Sequence, residues 1–138
     1  MYYIKFIMKN NIFKLIKYLY YFSLVALFIL YLFPGSLIGF FLYGNLNQQP
    51  DIINNPIGTS INHLFFFIYL STLASATRSI DKKLINSFKF LFCISISLEL
   101  LHLFIPNRAF EYYDLFANIA GVVLIYLFVG FLSKFFLK

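Results

Sequence analysis

The apolar positions of this chain gather into long runs divided by short polar breaks. About 20 apolar residues in a helix cross a hydrocarbon core of about 30 Å, and runs near that length recur here. The pattern predicts four such helices, at about 18–33, 61–77, 86–105 and 114–132. The first stops at Pro34 and Gly35 and the third at Pro106, because proline cannot continue the helical hydrogen bonding. Residues 36–43 are apolar but too short to cross, and read as an interfacial or dipping segment. Residues 44–60 form a polar loop with two prolines and no Lys or Arg.

Ahead of the first span, Lys5, Lys9, Lys14 and Lys17 are spaced three to five apart. That spacing puts them on one broad side, so residues 1–17 predict an amphipathic helix lying in the membrane interface. No A-x-A-like cleavage site follows the apolar run, so this segment is expected to be retained. There is no internal repeat, and a chain of 138 residues suits one domain, 1–138.

Composition turns this pattern into a class. A hydrophobic content of 62% with mean hydropathy +0.83 is too apolar for a soluble fold of this length. The chain reads as an all-α, polytopic membrane protein, a four-transmembrane-helix bundle preceded by an interfacial helix. With no Trp, the 11 Tyr must supply any aromatic belt at the interfaces. The net charge of +6 reads as a topology signal towards anionic lipid. Of 11 basic residues, only Arg108 falls in the 106–113 turn and none in the 35–60 loop; the other ten share one side if both termini are cytoplasmic. The expected topology is therefore N-in/C-in. No basic stripe is interleaved with exposed aromatics, so nucleic acid is not an expected partner. The single Cys93 cannot form an intramolecular disulfide and reads as a small buried hydrophobe.

The candidate chemistry gathers at the outer face, where the third and fourth spans meet. Glu99 and His102, three apart, share a helix face, and Ser95 extends it by one turn inward. Asp114, Asn118 and Gly121 follow at spacings of four and three on the fourth span, while Asn62 and His63 open the second at the same height. Each has a plain structural reading: Asp114 as a helix cap, Asn118 as an interhelical hydrogen bond, Gly121 as a packing glycine, His63 as a wetted interfacial residue. Glu99 is hardest to explain that way, because an unpaired carboxylate at outer-leaflet depth costs several kcal/mol or takes up a proton. Arg108 is its natural partner, with Glu111 and Asp114 competing for the same guanidinium. The candidate pocket is His63, Glu99, His102, Arg108, Asp114 and Asn118.

These residues resemble the VanZ-like family of bacterial membrane proteins. The pattern is E-x-x-polar (Glu99, His102), P-x-R (Pro106, Arg108) and D-x-x-x-N-x-x-G (Asp114, Asn118, Gly121), with His63 and the aromatics after it opening the preceding span. The resemblance covers the second to fourth spans closely and the first only by position and Pro34. It departs at His102, where the family usually has Gln, and at Thr59 and Ser60, where it usually has Asp and Lys. It implies a four-helix, multi-pass protein of the bacterial cytoplasmic membrane. In some members it also implies an association with resistance to teicoplanin-type glycopeptides. It implies no established reaction.

Three functions stay open on the sequence. The pocket binds an envelope lipid headgroup, a cell-wall precursor or a lipoglycopeptide, with Arg108 reading phosphate or carboxylate. Alternatively, the chain is a membrane-embedded enzyme on a lipid-linked substrate, with histidine as base or nucleophile. A metal version of that enzyme would use His63, His102, Glu99 and Asp114, although one E-x-x-H carries little weight and neither a metal nor a cofactor is expected. In the third reading it is a structural or assembly partner whose polar cluster fixes helix register. Four helices without a repeat offer no alternating halves for a transporter.

Overall fold

Nothing between residues 2 and 32 breaks a helix, neither proline nor glycine, and the chain runs there as one helix, α1 (Tyr2–Leu32). The computed structural model describes residues 2–49, 58–78 and 81–136. The expected boundary between an interfacial helix over 1–17 and a span from 18 is absent. A change from amphipathic to apolar composition does not end a helix; a lost hydrogen bond or a strained backbone does. The stretch of α1 apolar enough to cross a membrane is Asn11–Leu32.

Pro34 biases the residue before it away from helical geometry, and α1 stops at Leu32. The chain then forms α2 (Leu37–Tyr43), where Ser36 caps the helix by accepting from the Gly39 amide at 2.9 Å. Gly39 is required by close approach: a Cβ there would stand 1.6 Å from the Gln48 carbonyl oxygen, so the following loop lies directly on the helix. Phe40, Phe41 and Leu42, which follow Gly39, are all exposed. Most of the remaining polar loop, residues 50–57, lies outside the described residues.

α3 (Gly58–Arg78) is the centre of the bundle, packed on both α1 and α5. Its buried positions, Phe67, Leu70, Ser71, Ala74 and Thr77, recur at three and four residues and face inward together. A single 3₁₀ turn (Leu84–Asn86) leads to α4 (Phe88–Leu101), capped by Ser87. The span expected over 86–105 is thus shortened at both ends. Ser87 starts the helix late. At the far end the amides of His102, Leu103 and Phe104 turn to carbonyls three residues back, which tightens the chain out of α-geometry ahead of Pro106. Cys93, expected to be buried, is exposed on α4.

α5 (Tyr112–Phe136) closes the bundle against α3. Gly121 permits that contact, since a Cβ there would lie 2.8 Å from both the Leu64 carbonyl oxygen and the Phe67 Cβ. All described elements are helical. Two of them, α1 over Asn11–Leu32 and α5 over Tyr112–Phe135, are long and apolar enough to cross a membrane. Only 22% and 17% of those stretches are buried. Phe22, Val25 and Ile29 on α1 and Phe116, Leu124, Phe128 and Phe131 on α5 stand exposed, an outward apolar face that suits lipid better than water.

Candidate functional site

The polar side chains gather at the end of the bundle where α1 stops and the 102–111 turn crosses from α4 to α5. Tyr31, on the last turn of α1, is their hub. It continues the buried stripe of Tyr20, Leu24 and Leu27 at spacings of four, three and four, so its hydroxyl is carried inward and must find partners there. It finds two: His63 Nδ1 at 2.5 Å and Asn118 Oδ1 at 2.9 Å. Its ring stacks on His102, with centroids 5.5 Å apart, and meets His63 edge-on at 5.2 Å.

Glu99 is fully buried, yet its carboxylate is well supplied with donors. The Glu111 amide reaches Oε1 at 3.2 Å, Asn118 Nδ2 reaches Oε2 at 3.4 Å, and His102 Nδ1 lies 3.3 Å from Oε1. His102 turns its other nitrogen to the Tyr31 carbonyl at 3.1 Å, tying α4 to the end of α1. Asp114 also points inward. Its Oδ1 accepts from the Ser60 hydroxyl at 2.5 Å, and its Oδ2 faces His63 Nε2 at 3.4 Å. It lies inside the first turn of α5 and binds across to α3, so it does not act as the cap its position suggested. Five of the six expected residues (His63, Glu99, His102, Asp114 and Asn118) therefore form one bonded network.

Arg108 does not join it, and its expected ion pair with Glu99 is not formed. Its Nη2 donates to the Leu30 carbonyl at 2.5 Å and its Nε to the Phe33 carbonyl at 3.3 Å. The last carbonyls of α1 have no amides to receive, because the helix ends there and Pro34 has no N–H. They also carry the negative end of the helix dipole, which attracts a cation. The guanidinium caps α1, while Glu99 is already satisfied by neutral donors. Burial draws the Arg108 pKa down, and burial followed by the nearby Asp114 and Glu99 carboxylates pushes Glu111 up.

Beside the network lies a cleft of about 130 Å³. Leu30, Leu37, Ile38 and Phe66 give it apolar walls, and Tyr31, His63 and Arg108 bring polar atoms to it. Arg108 spends two of its five N–H donors on the α1 carbonyls, leaving three for other acceptors. Next to the cleft, His63, Glu99 and Asp114 each offer one metal-ligating atom, all within 4.8 Å of one another.

The sequence reading missed Tyr31 and gave Ser60 no role. The signal for Tyr31 is its phase with Tyr20, Leu24 and Leu27, but beyond Lys17 α1 is apolar on nearly every face and nothing in the sequence says which stripe faces inward. At the other end of the bundle, Lys17 Nζ pairs with Asp81 Oδ2 at 2.8 Å and Tyr20 donates to the Ile85 carbonyl at 2.5 Å, fixing α1 against the 81–87 connection. No protein-family model, curated protein or solved structure matches this chain.

Proposed function

We propose that this chain is a four-span, N-in/C-in integral membrane protein, similar to VanZ-like proteins of the bacterial cytoplasmic membrane. Its outer-leaflet cleft binds the anionic headgroup of an envelope lipid. A cell-wall precursor or a glycopeptide presenting the same phosphate or carboxylate would be read by the same fork.

One observation carries this reading. Arg108 borders a cleft with apolar walls, has free N–H donors, and has no carboxylate partner among the described residues. A half-buried guanidinium without a fixed counter-charge favours an anion, and the apolar walls suit the chain attached to it. The topology is supported by the one-sided distribution of the basic residues and by the outward apolar faces of α1 and α5. Ser60 stands where VanZ-like proteins usually carry lysine, and a neutral hydroxyl meets Asp114 in its place. Binding is favoured over acid–base catalysis, because both ring nitrogens of His102 and Nδ1 of His63 are already engaged within the network.

Native mass spectrometry from mild detergent tests the reading. The wild type should retain a phosphate-bearing lipid, Arg108→Gln should lose it, and Arg108→Lys should keep part of it. A wild type free of lipid, or equal retention by Arg108→Gln, would overturn the proposal. For topology, with Cys93 removed, Asn47→Cys and Phe110→Cys should react with an impermeant thiol reagent on intact cells. Lys82→Cys should not, and its labelling from outside would reverse the orientation.

A further inference from the structure

The hydrogen positions around His63 can be assigned from the heavy atoms alone, and they leave a mismatch. Asn118 Nδ2 faces two acceptors, the Ser95 carbonyl at 3.5 Å and Glu99 Oε2 at 3.4 Å. The amide nitrogen must stay on that side, so Asn118 presents its oxygen to Tyr31. Tyr31 has one hydroxyl hydrogen, and the Asn118 oxygen can only accept, so the hydrogen goes there. His63 Nδ1, 2.5 Å from the Tyr31 oxygen, must then be the donor in that contact. A neutral His63 with its proton on Nδ1 has a bare lone pair on Nε2. That lone pair faces the Asp114 carboxylate at 3.4 Å. Two acceptors then point at each other, and the contact becomes favourable when a proton or a metal cation lies between them.

The spacing is compatible with a small metal ion. A hydrogen bond from imidazole to carboxylate closes to about 2.7–3.2 Å. Two ligand atoms on one tetrahedral metal ion, at bonds of about 2.0–2.1 Å, lie about 3.3 Å apart. The observed 3.4 Å between His63 Nε2 and Asp114 Oδ2 leaves room for such an ion, although it is close to the 3.3 Å of the His102–Glu99 hydrogen bond. Glu99 supplies a third ligand atom within 4.8 Å of the other two. Charge agrees: Glu99 and Asp114 are both buried, and among the described residues neither has a Lys or Arg partner. A divalent ion would balance both carboxylates.

We propose that His63, Asp114 and Glu99 form a binding site for a first-row divalent cation, zinc or manganese. One nitrogen and two carboxylate ligands suit these ions. Tyr31 and Asn118 form the outer support, holding the imidazole in the tautomer that exposes Nε2. His102 is not a ligand, since its nitrogens are directed to Glu99 and the Tyr31 carbonyl. The inference stands apart from headgroup binding at the cleft, which uses Arg108.

The test uses the full chain with its purification tag removed, held in nanodiscs and stripped with chelator. Zinc or manganese alone is added back, with elemental analysis for stoichiometry and calorimetry for affinity. The expected result is about one ion per chain. His63→Gln removes a ligand and should weaken binding by more than about 100-fold, while Tyr31→Phe removes only outer support and should weaken it about 10–100-fold. Glu111→Gln, an exposed carboxylate in the neighbouring turn, should bind as the wild type does. Circular dichroism confirms that each variant is folded, and Asp114→Asn replaces His63→Gln if that variant is not. Absence of binding by the wild type would assign the His63–Asp114 gap to a shared proton and overturn the proposal. So would an affinity unchanged in the ligand variants, or one lost in Glu111→Gln.

Discussion

Replacing Tyr31 with phenylalanine removes one oxygen atom from the centre of the polar network and little else. The ring keeps its stack on His102 and its edge contact with Phe67, whose centroid lies 6.2 Å away. What is lost is the donor to Asn118 and the acceptor for His63. In soluble interiors each stranded buried polar group costs about 1–3 kcal/mol. Interhelical hydrogen bonds in membranes measure less, averaging about 0.6 and reaching about 1.7 kcal/mol, because the unfolded chain finds other partners. Asn118 is wholly buried and belongs at the upper end of these ranges. The His63 side chain is 12% exposed and borders the cleft, where water can replace the lost oxygen, so it belongs at the lower end. The sum is about 2–3 kcal/mol. Unfolding in mixed micelles titrated with SDS and followed by circular dichroism measures it. Tyr126→Phe, at an exposed position on α5, is the control and should stay within about 0.5 kcal/mol of wild type. The reasoning fails if Tyr31→Phe also stays within that margin. It fails equally if Tyr31→Phe and Asn118→Leu are strictly additive, since partners in one network should show a coupling of at least about 0.5 kcal/mol.

Further outcomes follow from the packing and the charges. Gly121→Ala places a methyl against α3 backbone and should destabilise by about 1–3 kcal/mol, whereas Gly130→Ala meets nothing and should be neutral or stabilising by up to about 1 kcal/mol; the same SDS titration compares them. Arg108→Ala should strand the Leu30 and Phe33 carbonyls and lower stability by about 1–3 kcal/mol, and full stability in that variant would mean that α1 needs no such cap. The hydrogen bond from Lys17 holds the Asp81 carboxyl below its ordinary range. A depressed folded pKa gives stability that is complete above the unfolded value of 3.8 and is lost as the pH falls through the folded one. Melts of wild type against Asp81→Asn should therefore converge in acid; a difference unchanged from neutral pH to strong acid would show that the pair contributes nothing.

The helices and their breakers were largely legible in the sequence, and their joints less so. Pro34 and Pro106 follow real helix ends, because a missing amide acts locally and needs no tertiary context. The continuity of α1 through Lys17 was not legible: a lysine-rich stretch and an apolar stretch can share one helix when no residue breaks it. At the site, carboxylates, histidines and an asparagine in apolar surroundings drew attention by their cost alone, and the structure brings five of them together. Arg108 was assigned to the wrong partner for a definite reason. Counting charges pairs it with Glu99, but backbone carbonyls at a helix end are acceptors that no residue letter records. Tyr31 was hidden among 11 tyrosines, any of which could serve an interface.

The distance between the two polar anchors of α1 has a consequence for the surrounding bilayer. Lys17, paired with Asp81 at one end, and Tyr31, bound to His63 and Asn118 at the other, are separated by fourteen residues, about 21 Å of helix. The helix of α4 also has 14 residues, about 21 Å. An undisturbed hydrocarbon core is about 30 Å thick. In the proposed membrane setting α1 and α5 match that thickness and only α4 falls short, so a bilayer would thin locally beside α4. Lipid phosphates beside α4 would then lie nearer the level of Arg108 and the mouth of the cleft. On the proposed binding reading, a headgroup would then reach the site sideways along the thinned leaflet instead of down from the aqueous phase.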